Sequence, residues 1–140
     1  MRRVAIGALL ITAALMLASC SRPKYKKDGV YEGSSQSIYT SEPFFGAAKI
    51  EIKQGKIARI DFKIMDKTDN EIFDADFGDK HYAGNAIYMD QCKHDWQGVL
   101  IYPKKLLATQ DLERVDAVTG ATWSYNIFKD SVALALEKAK

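Results

Sequence analysis

The sequence predicts an α+β domain, an antiparallel sheet with packed helices, the last of them amphipathic and C-terminal. Three observations carry that prediction. Residues 44–65, FFGAAKIEIKQGKIARIDFKIM, alternate apolar and polar on both sides of Gln54-Gly55-Lys56, as in a hairpin that buries one face and wets the other. Residues 123–139 change to a spacing of three and four, with Phe128, Val132, Ala135 or Leu136, and Ala139 on one side and Lys129, Asp130, Glu137 and Lys138 on wetter faces. Residues 84–97 carry apolar side chains at an imperfect helical spacing, and a further helical turn is expected over 103–110.

The chain opens with MRRVAIGALLITAALMLASC, two arginines before an apolar run from Val4 to Ala18 and a small-residue exit. That order is an export signal, and the run is shorter than the roughly 20 apolar residues a spanning helix needs. Leu17-Ala18-Ser19-Cys20 resembles the lipobox of bacterial lipoproteins, which implies cleavage before Cys20 and lipid on its thiol. The alternative is an ordinary secretory signal or short anchor with an incidental cysteine. The domain organisation expected is a lipoprotein signal peptide over 1–19, a lipidated tether over 20–27 and one folded domain over 28–140. SRPKYKK, residues 21–27, is polar and basic and suits a surface of anionic headgroups. A single acyl chain gives marginal attachment, so stable anchoring calls for more than one. The expected location is extracytoplasmic, lipid-anchored to a bacterial membrane. Ser21 offers no evident inner-membrane retention signal, and both membranes stay open.

Asp28-Gly29 is a turn signal leading into a short strand. In the hairpin that follows, Gly55 suits a tight turn because it takes positive φ at little cost. DKTDNEIFDADFGDK is acidic, is broken by Gly78 and reads as a loop or a weak short helix. A helix is expected over about 84–97, with Ile87, Cys92 and Trp96 on one side and Tyr88 nearby. A separate helical turn is expected over 103–110, opened by Pro103, whose missing N–H would have no partner at a first turn. The terminal helix closes the domain.

After residues 1–19 are removed, a chain of 140 residues retains enough for one hydrophobic core. Its formal charge of +2 includes Arg2 and Arg3, so the remainder is nearly neutral and nucleic acid is not expected as a partner. With Cys20 acylated, Cys92 is the sole thiol and no disulfide can form within the chain. Cys92, His94 and Asp95 lie close in sequence, but no second ligand pair accompanies them or His81, so no metal site is expected.

The chemistry concentrates in DAVTGATWSYN, residues 116–126. A turn leading into a helix presents N–H groups without carbonyl partners, and these favour an anion at that end. Thr119, Thr122 and Ser124 are each able to cap such a helix, and a cap with a turn is the plain structural reading. Neither GxxxxGK[ST] nor GxGxxG occurs, which removes the usual nucleotide-hydrolase and dinucleotide arguments.

Asp116-Ala117-Val118-Thr119-Gly120-Ala121-Thr122 closely resembles the flavinylation motif Asp-x-x-(Ser/Thr)-Gly-Ala-(Ser/Thr) of the FMN-binding domain family. That family includes the periplasmic flavin-bearing subunits of sodium-pumping quinone reductase and of the related ferredoxin-linked electron-transport complex. DGVYEG, KIEIKQGKIARIDF and VDAVTGATWSYNIFKDSVALALEKA resemble its opening strand, its central hairpin and its motif with terminal helix.

The resemblance implies FMN held by a phosphoester on the Thr122 hydroxyl, attached by a flavin transferase with FAD as donor. Asp116 and Gly120 would belong to the sequence that enzyme reads, Ala121 completes the motif, and Thr119 is a lesser phosphate contact. Trp123 and Tyr125 are the aromatic candidates nearest the cofactor, with Trp96 and Tyr102 further off. One departure concerns the ring environment. Related subunits have a Glu-Thr-Pro-Gly-type segment after the hairpin, where this chain has Asp66-Lys67-Thr68-Asp69-Asn70.

The function implied is a membrane-tethered electron carrier between a redox donor and an acceptor protein, and no acid-base pair or nucleophilic triad marks a free-standing enzyme. The alternatives are an accessory lipoprotein that is structural or binds FMN noncovalently, and a small flavin reductase.

Overall fold

The computed structural model describes residues 24–25, 27–36 and 42–140. Residues 1–19, expected as a signal segment, and Cys20 lie outside the described residues. Four strands form an antiparallel sheet in the order β1-β2-β3-β4: β1 Gly29–Ser34, β2 Phe44–Lys53, β3 Lys56–Asp66 and β4 Glu71–Ile72. Three helices pack with it: α1 Phe77–His81, α2 Ala86–Thr109 and α3 Thr122–Glu137, with a 3-10 turn at Leu112–Arg114. No helix among the described residues is long and apolar enough to cross a membrane.

The hairpin follows from its alternation. Ala48, Ile50 and Ile52 of β2 face inward with Ile57, Ile60 and Ile64 of β3, and all six are buried. Ile57 and Ile60 share a face despite their odd spacing because the register shifts: Glu51 pairs with Arg59 and Ile52 with Ile57, leaving Ala58 as the extra residue of a bulge. Gln54 and Gly55 turn at φ of 52° and 71°, and the Asp28 carboxylate accepts both of their N–H groups.

Helix α3 buries Ile127, Phe128, Val132, Ala135 and Leu136. It lies on β1 and β2 where these are glycine. A Cβ on Gly33 would stand 2.1 Å from the Ser131 carbonyl, and one on Gly46 would stand 2.7 Å from Ile127 Cγ2. Tyr25, inside the segment expected to be a tether, is only 3 % exposed and belongs to the main core.

The structure corrects two expectations. Residues 84–97 and 103–110 are not two helical pieces, since α2 runs unbroken through Pro103. A proline inside a helix costs about 3 kcal/mol, but Val99, Tyr102 and Leu106 are buried around it and tie both halves to one core. Ile87 is 81 % exposed, so it does not share a buried face with the half-buried Cys92 and Trp96. The acidic stretch after the hairpin supplies β4 and α1, and its Phe73 and Phe77 are buried.

Candidate functional site

The turn before α3 is pinned to one face of α2. Tyr102, wholly buried, donates its hydroxyl to the Ala121 carbonyl at 2.7 Å and accepts from the Val118 N–H at 3.2 Å. One helical turn away Gly98 leaves no room for a side chain: a Cβ there would meet Ser124 Oγ at 2.7 Å and Ala121 Cβ at 3.0 Å. Gln91 donates to the Gly120 carbonyl at 2.8 Å, and Gly120 takes φ +79° where a Cβ would stand 3.1 Å from His94 Cγ. Tyr125 reaches back to the Val115 carbonyl at 2.8 Å and Lys105 to the Asp116 carbonyl at 3.0 Å. Burial raises the Tyr102 phenol above its ordinary pKa, which keeps it a neutral donor.

Helix α3 has Ala121 at its N-cap position and so no side-chain cap of its own. Asp95 of α2 does that work from outside. Its carboxylate, 2 % exposed, accepts the Ser124 N–H at 3.0 Å, the Ser124 hydroxyl at 2.8 Å and the Gln91 amide at 2.6 Å. Thr122 is therefore the first helical residue and not the cap. Its side chain is exposed and its hydroxyl makes no hydrogen bond among the described residues, nor do the backbone N–H groups of Thr122 and Trp123.

Trp123 walls a cavity of about 250 Å³ with Phe44, Phe73, Phe77, Tyr82 and Tyr88, where Gln91, Cys92, Asp95 and Glu42 add polar edges. Trp123 meets Phe44 edge-on at 5.2 Å and donates its indole N–H to Glu42 at 2.9 Å. Tyr82 and Tyr88 stack at 5.2 Å. Burial pushes the Cys92 thiol and the Tyr82 phenol up, so both are neutral at ordinary pH. A larger hollow of about 710 Å³ lies along β1 to β3 and includes no residue of the 116–122 turn.

The sequence-predicted residues thus divide. Thr122, Gly120, Ala121 and Trp123 come together at the start of α3. Thr119 and Asp116 are exposed on the same turn, and the Asp116 carboxylate makes no hydrogen bond among the described residues; Tyr102, Gln91 and Asp95 order the loop instead. Tyr125 and Tyr102 pack into the main core, and Trp96 packs behind the cavity against the smaller core cluster without lining it. Thr68 sits in an exposed turn where its N–H bonds to Asp66 at 2.7 Å. Among the described residues, no group of three or more His, Cys, Asp and Glu gathers for a metal. Sequence reasoning missed Asp95, Gln91, Phe44, Phe73, Phe77 and Tyr82. The phenylalanines of the irregular acidic stretch were the available signal.

Residues 45–137 match the family described as FMN-binding domain. A crystal structure of the CPE2226 protein from Clostridium perfringens is similar at 25 % identity and TM-score 0.57, covering 81 % of this chain and 88 % of that one. A solution structure from Clostridium thermocellum aligns at 21 % identity and TM-score 0.47, over 82 % of this chain and 93 % of that one. No curated protein matches.

Proposed function

The chain belongs to the FMN-binding domain family, and from that premise we propose that it is a membrane-tethered extracytoplasmic electron carrier with FMN bonded through its phosphate to Thr122. One observation carries the reading: an exposed hydroxyl and two helix N–H groups that have no hydrogen-bond partner among the described residues, one residue before the tryptophan that walls an aromatic cavity. The residues fit the group. The N–H groups of Thr122 and Trp123 and the positive end of α3 suit a phosphate. Phe44, Phe73, Tyr82 and Trp123 suit a flat ring, with Gln91 and Glu42 as polar contacts at its edge.

Bound FMN supplies the redox chemistry, and the protein supplies position and surroundings. In attachment, the Thr122 hydroxyl would be the acceptor for the flavin-side phosphate of FAD, with AMP as the leaving group and the hydroxyl proton taken by a base of the flavin transferase. Afterwards the covalent bond prevents loss of the cofactor outside the cell. Trp123 and the phenylalanines would shield the ring from water, while the neutral Cys92 and Tyr82 would add no charge beside it. Donor and acceptor are other redox proteins, so the chain is a carrier and not a free-standing enzyme. Lipid on Cys20 supplies the tether.

The test is the mass of chain expressed with a flavin transferase and FAD, where an addition of roughly 440 Da marks one FMN as bound cofactor. Thr122→Ala should remove the adduct entirely and leave stability unchanged within about 0.5 kcal/mol, as expected at an exposed position. Retention of the adduct on Thr119 would overturn the assignment. The cavity is independent of the Thr122 hydroxyl, which favours one second reading, reversible FMN binding; a bare but flavin-binding wild-type chain would select it.

A further inference from the structure

The domain has two poles. At one, the chain enters: Tyr25 is buried beside Leu112 and Leu136, Lys24 pairs with Asp111 at 2.9 Å, and Asp28 grips the hairpin turn at Gln54 and Gly55. At the other lie Thr122, Trp123 and the aromatic cavity. Two elements measure the gap. From Thr122 to Leu136 along α3 is about 21 Å at 1.5 Å per residue. From Phe44, in the cavity wall, to Lys53, beside the gripped turn, is about 30 Å at 3.3 Å per residue.

Only Ser21 to Lys24 stand between Cys20 and the buried Tyr25, a reach of at most about 17 Å. Charge follows the same polarity. SRPKYKK carries four cations in the sequence that leads into the chain-entering pole, and with Lys53, Lys56, Asp28, Glu51 and Asp111 of that pole the sum is +3, whereas residues 66–95 hold eight acidic residues against three lysines, a net of −5. Among the described residues, Asp66 and Asp95 are the only buried carboxylates. Anionic headgroups attract the first pole and repel the second, so the domain does not lie on its side. Tyr88, in the cavity wall, and its chain neighbour Ile87 are 55 % and 81 % exposed, an apolar spot at this pole.

We propose that the anchored chain stands on its basic pole and offers the flavin at its acidic pole to a protein partner with a basic surface in the aqueous space, and not to a carrier dissolved in the bilayer. The inference rests on the lipid on Cys20 and the FMN on Thr122 proposed above, and it adds the class of partner and the side from which it comes.

Both tryptophans of the chain, Trp96 and Trp123, sit at the distal pole and report its position without flavin. The lipidated, flavin-free full chain is placed on vesicles of phosphatidylglycerol and phosphatidylethanolamine containing a headgroup nitroxide lipid. Native emission should be nearly unquenched. Lys27→Trp combined with Trp96→Phe and Trp123→Phe should be quenched severalfold more. Strong quenching of the native tryptophans overturns the proposal, as does a chain that stays in the aqueous fraction.

With flavinylated chain on vesicles holding a lipid-soluble quinone, the prereduced flavin should be reoxidised at least tenfold faster by an added basic haem protein than by the quinone. Inserting twenty glycine and serine residues between Arg22 and Pro23 should raise the quinone rate severalfold. Equal rates that ignore the insertion overturn the choice of partner. A chain that takes up no FMN refutes the flavin reading instead, and the nitroxide result then decides the orientation alone.

Discussion

Asp95→Ala tests whether a carboxylate on α2 builds the start of α3. The substitution removes the acceptor of the Ser124 N–H and hydroxyl, at 3.0 and 2.8 Å, in a place where Ser124 is wholly buried. The hydroxyl keeps the Ala121 carbonyl at 3.1 Å and Gln91 keeps the Gly120 carbonyl at 2.8 Å, so one N–H is stranded. A stranded buried donor costs about 1–3 kcal/mol, and loss of a cap about 1 kcal/mol. These overlap, and relief of a buried charge offsets part of them. The net expected is about 2 kcal/mol, or roughly 8–10 °C in Tm for a domain of this size.

Asp95→Asn keeps one acceptor oxygen for Ser124 and should cost about 1 kcal/mol. Urea unfolding followed by circular dichroism reads both. The functional half is the initial rate of FMN incorporation by a flavin transferase. Asp95→Ala should slow it at least tenfold, because Thr122 is no longer held at a defined helix start. Val132→Ala, a core truncation in the same helix with a cost of about 2–3 kcal/mol, should leave it unchanged. An Asp95→Ala chain within 0.5 kcal/mol of wild type, or equal slowing in Val132→Ala, would refute the reasoning.

Gly98→Ala forces a methyl to within 2.7 Å of Ser124 Oγ and of the Tyr102 ring; it should cost about 1–3 kcal/mol by overpacking and slow FMN incorporation as Asp95→Ala does, which thermal melts and the same rate assay measure. Glu71 is held below the ordinary carboxylate range by hydrogen bonds first from Lys80, at 2.9 Å, and then from His81, at 2.8 Å. Its lowered pKa makes the stabilisation complete above the ordinary carboxylate pKa and lost as pH falls through the lowered folded value. Amide exchange in α1 should therefore accelerate in that acid window, and Glu71→Gln should flatten the dependence.

The hairpin and α3 were legible because a single sheet face and a single helix stripe impose periods of two and of three to four. The unity of α2 was not, because Pro103 is a strong local stop signal and the burial that overrides it comes from residues distant in sequence, as in the packing of Tyr102 against Phe128 and Tyr125. The cavity was half legible. Trp123 stood beside the turn, but Phe73 and Phe77 lie in a stretch whose acidity reads as a loop. Asp95 was read only as a member of the CKHD cluster, and nothing in its neighbours signals a partner at Ser124. Caps supplied from another helix leave no local spacing to detect.

The same contact explains which hydroxyl is available. Thr119, Thr122 and Ser124 are equivalent as residue types, and the sequence alone left each of them as a possible cap. In the fold, Ser124 is sealed: it is wholly buried, and its hydroxyl is committed to Asp95 and the Ala121 carbonyl. Thr119 is exposed but stands before Gly120, whose positive φ turns the chain between it and the helix. Thr122 alone combines an exposed, unbonded hydroxyl with the open N–H end of α3 and a direct covalent neighbour in the cavity wall, Trp123. Because Asp95 caps α3 through Ser124, the first turn is stable without using Thr122. A capping threonine would have its hydroxyl engaged by a helix N–H; that of Thr122 makes no hydrogen bond among the described residues.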